Sequence, residues 1–300
     1  MLQGRVVKGI GGFYYVRTEL GLIECKPRGI FRKEKISPLV GDRVKISLIK
    51  STGEQGVIEE ILPRENVLIR PSVANVDHCV IVMSLDNPKP DLLLLDRLLV
   101  MAGVSNLNSI ICINKMDLES SGCSTEFAET YVSAGYRVVR TSTKTGQGLD
   151  DLKDALKDRT SVFAGLSGVG KSSLLNSIQP QLQLRTGEIS DRLKRGRHTT
   201  RHAELLELSF GGMVVDTPGF SSLKLSALKY EDIVNMDLAA YFPEFKVYSG
   251  RCRFAGCRHL KEPGCSVKSA VEKGRIASWR YENYTEIMGE IEESRRRRYD

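Results

Sequence analysis

The chain has 300 residues, 41% of them hydrophobic, which suits one to three folded domains. Its 44 Lys and Arg against 37 Asp and Glu leave a net charge of +7, pointing to a polyanionic partner such as nucleic acid. No stretch reaches the ~18 uncharged apolar residues of a membrane helix, and MLQGRVVKGIGG lacks the apolar core of a signal peptide. Membrane and secreted roles are therefore set aside, and a cytoplasmic protein is expected.

Residues 1–70 read as all-β. Short β-rich runs at Gly4–Val7, Phe13–Thr18, Gly21–Lys26, Arg43–Leu48 and Gly56–Ile61 are separated by Gly, Pro and charged residues. GDRVKISLI alternates as a half-buried strand does. Five such strands predict a small barrel, an OB-fold first and an SH3-like barrel as the alternative. Residues 71–225 change texture. Strand VDHCVIVMSL precedes helix DLLLLDRLLVMAG. Strand SIICIN, a helix over Thr125–Ala134, strand YRVVRTS and helix Gly148–Leu156 follow. Strand SVFAG leads into helix KSSLLNSI, and strands AELLELS and MVVDTPG close the region. This alternation predicts a mostly parallel α/β sheet with helices on both faces. Residues 226–300 read as helices around a Cys/His loop, ending in SWRYENYTEIMGEIEESRRRR. His78, Cys79 and Cys112 lie in apolar strands and read as core.

GLSGVGKS matches the phosphate loop G-x-x-x-x-G-K-S/T in full, between a strand and a helix. Gly165, Leu166, Ser167, Gly168, Val169 and Gly170, with Ser173 behind them, would present backbone N–H groups at a helix N-terminus. Lys171 would reach the β- and γ-phosphates, and Ser172 would ligate Mg2+. NKMD, which is Asn114, Lys115, Met116 and Asp117, follows a strand. The Asp117 carboxylate can accept from guanine's ring N–H and amine, a donor pair that adenine lacks. Lys115 would lie along the base and Asn114 would brace the loop. DTPG after strand MVV would bring Asp216 to Mg2+ and the Gly219 N–H to the γ-phosphate. TSTK places Ser142 at the base-contacting loop.

The order of these motifs is decisive. A conventional GTPase runs phosphate loop, D-x-x-G, then N-K-x-D. Here N-K-x-D comes first, the phosphate loop second and D-x-x-G last, so the domain is circularly permuted. The stretch DRLKRGRHTTRH falls where the first switch loop belongs, with Thr199 or Thr200 as the hydroxyl that senses Mg2+ and γ-phosphate. Phe220 stands where many GTPases carry a water-orienting Gln. A catalytic group from elsewhere is then needed; His198 is the candidate, with contact to an RNA phosphate as its alternative role. Cys252, Cys257, His259 and Cys265 form C-x4-C-x-H-x5-C, a donor set for tetrahedral structural Zn2+.

Positive charge is concentrated in three blocks: 13 basic against 8 acidic residues in 1–70, 6 against 2 in 185–201, and 12 against 8 in 251–300. Barrel, permuted GTPase motifs and Cys/His appendage together resemble the RsgA family of GTPases, which act in assembly of the small ribosomal subunit. The resemblance covers nearly the whole chain. It implies an OB-fold at the N-terminus, GTP hydrolysis to GDP with Mg2+, one structural Zn2+, stimulation by the small ribosomal subunit, contact with its rRNA and a part in its late maturation. A monomer is expected.

Overall fold

The computed structural model describes residues 1–34, 36–49, 55–69, 71–119, 123–182, 184, 203–216 and 236–296. They fall into two compact units. The first takes its described residues from Met1–Cys79, Asp150–Phe163 and Ser172–Ser221. It opens with β1 Leu2–Ile10, β2 Phe13–Thr18, β3 Gly21–Pro27, a short helix α1 Gly29–Lys33, β4 Arg43–Leu48 and β5 Gln55–Ile61. Strand pairing runs β1-β2-β3-β5-β4, and β4 returns to β1 from Leu2↔Ile46 to Arg5↔Arg43. The barrel is thus closed, which removes its sheet edges.

Among the described residues, only β3 and β5 pair in parallel within the barrel. The chain leaves β3 through α1 and re-enters as β4 beside β1, so β5 must fill the gap between β4 and β3. This Greek-key closure is that of an OB-fold barrel, the first of the two expected architectures. Alternation supplies its core: Val44 and Ile46 point inward from β4 while Arg43 and Leu48 are exposed. Val6, Val16, Ile23, Cys25, Phe31 and Ile58 complete it. A small hairpin, β6 Val67–Leu68 with β7 Val73–Ala74, follows. Nearby, the fully buried Asp42 carboxylate takes a two-pronged ion pair from Arg64, at 2.7 and 2.9 Å.

The same unit holds α4 Leu149–Leu156 from Asp150 on, β11 Thr160–Ala164 to Phe163, most of α5 Lys171–Ile178, β12 Glu204–Glu207 and β13 Met213–Asp216. β13 runs parallel to β11 from the pairs Thr160↔Met213 and Ser161↔Val214. β12 is antiparallel to β13, a hairpin within the otherwise parallel pattern expected. β12 also meets β1 at Lys8↔Glu204, where Lys8 and Glu204 form a 2.8 Å ion pair.

The second unit contains β8 His78–Met83 from Val80 on, α2 Leu92–Val104, β9 Asn108–Ile113, α3 Cys123–Ser133 and β10 Arg137–Arg140. These strands lie in the order β10-β9-β8, with β9 and β10 parallel. Val80 to Met83 are buried without alternation, as a strand covered on both faces requires. Cys79 and Cys112 are core residues, as expected. The unit ends in α6 Lys246–Ser249, α7 Ser266–Glu272 and α8 Ser278–Arg296. Phe242, Phe245, Val267, Tyr284, Ile287 and Ile291 form the core of this helical part. No helix among the described residues is long and apolar enough to cross a membrane.

One buried polar hub ties the helical part to α2 and α3. Arg280 on α8 is 1% exposed; it pairs with the fully buried Asp96 of α2 and forks onto Glu244 at 2.7 and 3.0 Å. Asp96 also accepts from Tyr131 at 2.9 Å and Asn283 at 2.7 Å. Burial works against the Arg280 charge, and the Asp96 and Glu244 carboxylates outweigh it, so the guanidinium stays protonated with its pKa above the ordinary value. Phe242 and Tyr131 cover it, with ring centroids 4.5 and 5.1 Å from the guanidinium carbon.

Candidate functional site

Three of the predicted nucleotide-contacting stretches, N-K-x-D, TSTK and the phosphate loop as far as Lys171, meet inside the second unit. The phosphate loop begins where β11 ends, at Gly165, and passes into α5 at Lys171. Its glycines are forced by crowding. Gly165 has φ +132° and a Cβ there would sit 2.0 Å from Val82 O; Gly170 has φ +98° and a Cβ would sit 2.4 Å from Asn114 Nδ2. No L side chain fits either position.

That second contact is the joint of the site. Asn114 is 2% exposed; its Nδ2 donates to Val169 O at 2.9 Å, and its Oδ1 accepts from Thr141 Oγ1 at 3.1 Å. Its backbone N–H donates to Met83 O at 2.8 Å. One side chain therefore links the N-K-x-D turn, the phosphate loop and the TSTK turn. Thr141 was not singled out from sequence, because a Thr after a strand carries no local signal; only the fold brings it to Asn114.

Lys115 takes a left-handed φ of +64°, and its Nζ donates to Asn87 O at 2.5 Å. Met116 N–H donates to Thr141 O at 3.1 Å. Asp117 projects an exposed carboxylate, and Ser142 Oγ donates to its Oδ1 at 2.5 Å. The Ser142 hydroxyl, with lesser help from the Asp117 N–H and the Lys144 and Lys115 charges, holds the Asp117 pKa below the usual carboxylate range. The carboxylate is thus an ionised acceptor. Ser142 is fully buried and its own N–H is satisfied by Gln147 O at 3.0 Å.

Lys171 Nζ donates to Gly165 O at 2.9 Å and Leu166 O at 2.6 Å, which folds the side chain back over the start of its own loop. Burial lowers its pKa to about 8. An ammonium so desolvated gains strongly from an incoming polyanion. Ser172 and Ser173 occupy the first turn of α5 and are half-buried. The backbone of Asp216 ends β13, beside the strand that leads into the phosphate loop. The Asp216 side chain, Gly219, Phe220, His198, Thr199 and Thr200 lie outside the described residues.

Cys252, Cys257, His259 and Cys265 converge, as the spacing suggested. Their ligand atoms all lie within 4.8 Å of one another. His259 Nδ1 is 3.6 Å from Cys252 Sγ and 3.4 Å from Cys265 Sγ. Sulfur and nitrogen ligands on one tetrahedral Zn2+ sit about 3.6 Å apart, so donor set and spacing fit that ion. His259 is buried with φ +61°, and Cys265 caps α7. The turn around His259 is built by Glu262, which accepts from the N–H of Arg258 and of Leu260, both at 2.9 Å.

Two family profiles match the chain. The RsgA N-terminal domain matches residues 3–58 and the RsgA GTPase matches residues 61–226. The chain belongs to the RsgA GTPase family. It is accordingly a GTP-hydrolysing enzyme with a permuted motif order. It is 48% identical over 298 residues to the small ribosomal subunit biogenesis GTPase RsgA of Caldanaerobacter subterraneus subsp. tengcongensis, covering 99% of this chain and 98% of that one. The protein of the same description from Moorella thermoacetica is 50% identical, with 97% of each covered. Among solved structures, YjeQ from Thermotoga maritima superposes with a TM-score of 0.81 at 41% identity, covering 97% of this chain and 98% of that one. YloQ, described as a circularly permuted GTPase, gives a TM-score of 0.81 at 42% identity, covering 98% and 96%.

Proposed function

We propose that the protein is a ribosome-stimulated GTPase that assists late maturation of the small ribosomal subunit and contacts its rRNA. The nucleotide reading rests on one observation: Asn114 holds the N-K-x-D turn 2.9 Å from the phosphate loop, so base and phosphate recognition share a rigid frame. The ribosomal reading rests on the relatives, whose names carry that role over nearly their whole length. The three basic blocks of the sequence support it.

In this reading Asp117 accepts from the guanine ring N–H and amine, Lys115 lies along the base, and Met116 and Ser142 close its edge. The N–H groups from Gly165 to Ser173 surround the phosphates, and Lys171 leaves its two loop carbonyls to bind the β- and γ-oxygens. Ser172 and Asp216 would hold Mg2+, which when bound would supply charge neutralisation for the departing GDP. Gly219 senses the γ-phosphate, together with Thr199 or Thr200. Water attacks in line, and His198 takes the role that Phe220 cannot fill. The Cys252, Cys257, His259 and Cys265 set holds one structural Zn2+. The chain divides functionally into residues 1–70, 71–225 and 226–300, works as a monomer in the cytoplasm, and joins or leaves the subunit according to its nucleotide.

The deciding experiment is GTP hydrolysis by the purified protein, alone and with small ribosomal subunits, beside Lys171→Ala. Strong stimulation that Lys171→Ala abolishes is expected. Turnover indifferent to added subunits would overturn the ribosomal assignment. His198→Ala with undiminished stimulated turnover would remove His198 from the mechanism.

A further inference from the structure

The loop between the first two cysteines of the Cys/His cluster displays an aromatic ring that neither the nucleotide site nor the metal cluster explains. Phe242 and Phe245 of the same unit are fully buried, whereas Phe254 is 45% exposed. It sits in Arg253-Phe254-Ala255-Gly256, four exposed residues between Cys252 and Cys257. Both ends of this loop are anchored in the cluster, and Cys252 Sγ also lies 3.3 Å from Ser266 Oγ. A loop so held loses little freedom when something docks on it.

Arg253 flanks the ring, its guanidinium carbon 5.5 Å from the centroid. Its backbone N–H donates to Gly264 O at 3.1 Å. Gly264 has φ +71°, and a Cβ there would stand 3.0 Å from Arg253 Cβ, so the glycine is what lets the arginine stem lie close. The surroundings are cationic. Arg251, Arg253 and Lys261 are exposed and form no ion pair among the described residues. Arg258 is already matched by Glu292 at 2.7 Å. Glu262, the one acidic residue from 251 to 265, spends its carboxylate on two backbone N–H groups.

We propose that Phe254 is a stacking platform for an unpaired base of single-stranded RNA, with Arg253 beside the ring and Arg251 and Lys261 on the neighbouring phosphates. This deepens the RNA-facing part of the proposed function and rests on it. Every base has a π-face, and an exposed ring among unmatched cations serves a strand that carries both bases and phosphates. Duplex RNA hides its base faces, so the ring selects splayed or single-stranded segments. An acidic peptide would use the arginines and leave the ring idle.

The test is fluorescence anisotropy of the full-length, metal-replete protein with a labelled unstructured RNA of about 12 nucleotides, within the roughly 4–16 nucleotides that single-strand binding grooves span, and with the same sequence as a duplex. Phe254→Ala is expected to weaken single-strand binding about five- to a hundredfold and duplex binding much less. Basal GTP turnover and zinc content stay at wild-type values. Phe254→Trp retains or tightens binding, and Phe254→Leu behaves like Phe254→Ala. Unchanged single-strand affinity in Phe254→Ala, equal losses on strand and duplex, full function in Phe254→Leu, or equal competition by polyglutamate would each overturn the platform. Should Phe254→Ala lose its metal, the Trp and Leu variants decide, since both keep an apolar side chain on the loop. Wild-type protein that fails to bind small subunits but shows Phe254-dependent RNA binding counts against the ribosomal reading and supports the platform. Phe254→Ala that binds subunits and RNA as wild type does counts against the platform alone.

Discussion

Two side chains of the nucleotide site have their protonation set by their surroundings, Asp117 by a hydrogen bond and Lys171 by burial. Asp117 is kept ionised by the Ser142 hydroxyl at 2.5 Å, so it is an acceptor throughout the neutral range. Replacing it with Asn puts a donor where guanine also donates. Hydrogen bonds to a charged group contribute about 1.5–3 kcal/mol, so Asp117→Asn should weaken GTP about ten- to a hundredfold. The same variant should gain affinity for xanthosine triphosphate, whose extra carbonyl accepts from the new amide. Competition binding with both nucleotides checks this, and undiminished GTP affinity would remove Asp117 from base recognition. Lys171 behaves in the opposite sense. Burial lowers its pKa to about 8 from 10.5, so between those values the unfolded chain binds more protons and stability rises with pH. A triphosphate needs the charged form. GTP affinity should therefore fall as pH climbs past about 8, with proton uptake on binding seen by calorimetry in buffers of different ionisation enthalpy. Lys171→Ala should lose the affinity and its pH dependence together.

At the scale of elements, the phosphate loop and the N-K-x-D turn are one mechanical part. Gly170→Ala drives a methyl to 2.4 Å from Asn114 Nδ2 and strains a φ of +98°. Loss of GTP binding is expected, with base affinity measured by free guanosine falling alongside phosphate affinity. A loss confined to phosphate would show that Asn114 does not couple the two. The α2–α8 junction is the second such part. Arg280 and Asp96 are both buried, and removing one partner of such a pair costs about 3–5 kcal/mol because the other charge is left unmatched. Arg280→Met should destabilise the second unit by that amount, and adding Asp96→Leu should recover part of it. Trp279, the sole tryptophan, packs 5.5 Å from Tyr131 and stacks on Phe127 at 6.2 Å, so its fluorescence in denaturant titration reports this unit directly.

At the scale of the whole molecule, the four side chains of the Cys/His cluster converge between α6 and α7 of the helical region. His259 Nδ1 lies within 3.6 Å of two thiols, and Cys265 starts α7. Chelation of the metal, or Cys252→Ser, should lower the unfolding transition seen by Trp279 while leaving the barrel's transition in place; unchanged Trp279 unfolding would deny the metal a structural role. Much of this molecule was legible in its sequence for a local reason. A barrel strand such as RVKISL announces itself by alternation, and a phosphate loop or a Cys/His set by spacing, because strand period, a run of phosphate-facing N–H groups and ligand geometry act over a few neighbouring residues. Motif order likewise revealed the permutation, since it needs no coordinates to read. What spacing does not encode is which distant residues meet. Asn114 reaches Val169 across 55 positions and Arg280 reaches Asp96 across 184; the β3–β5 parallel step that separates an OB-fold from its alternative depends on where β4 closes. These follow from burying polar groups with their partners once strands and helices pack, and only the tertiary structure decides them.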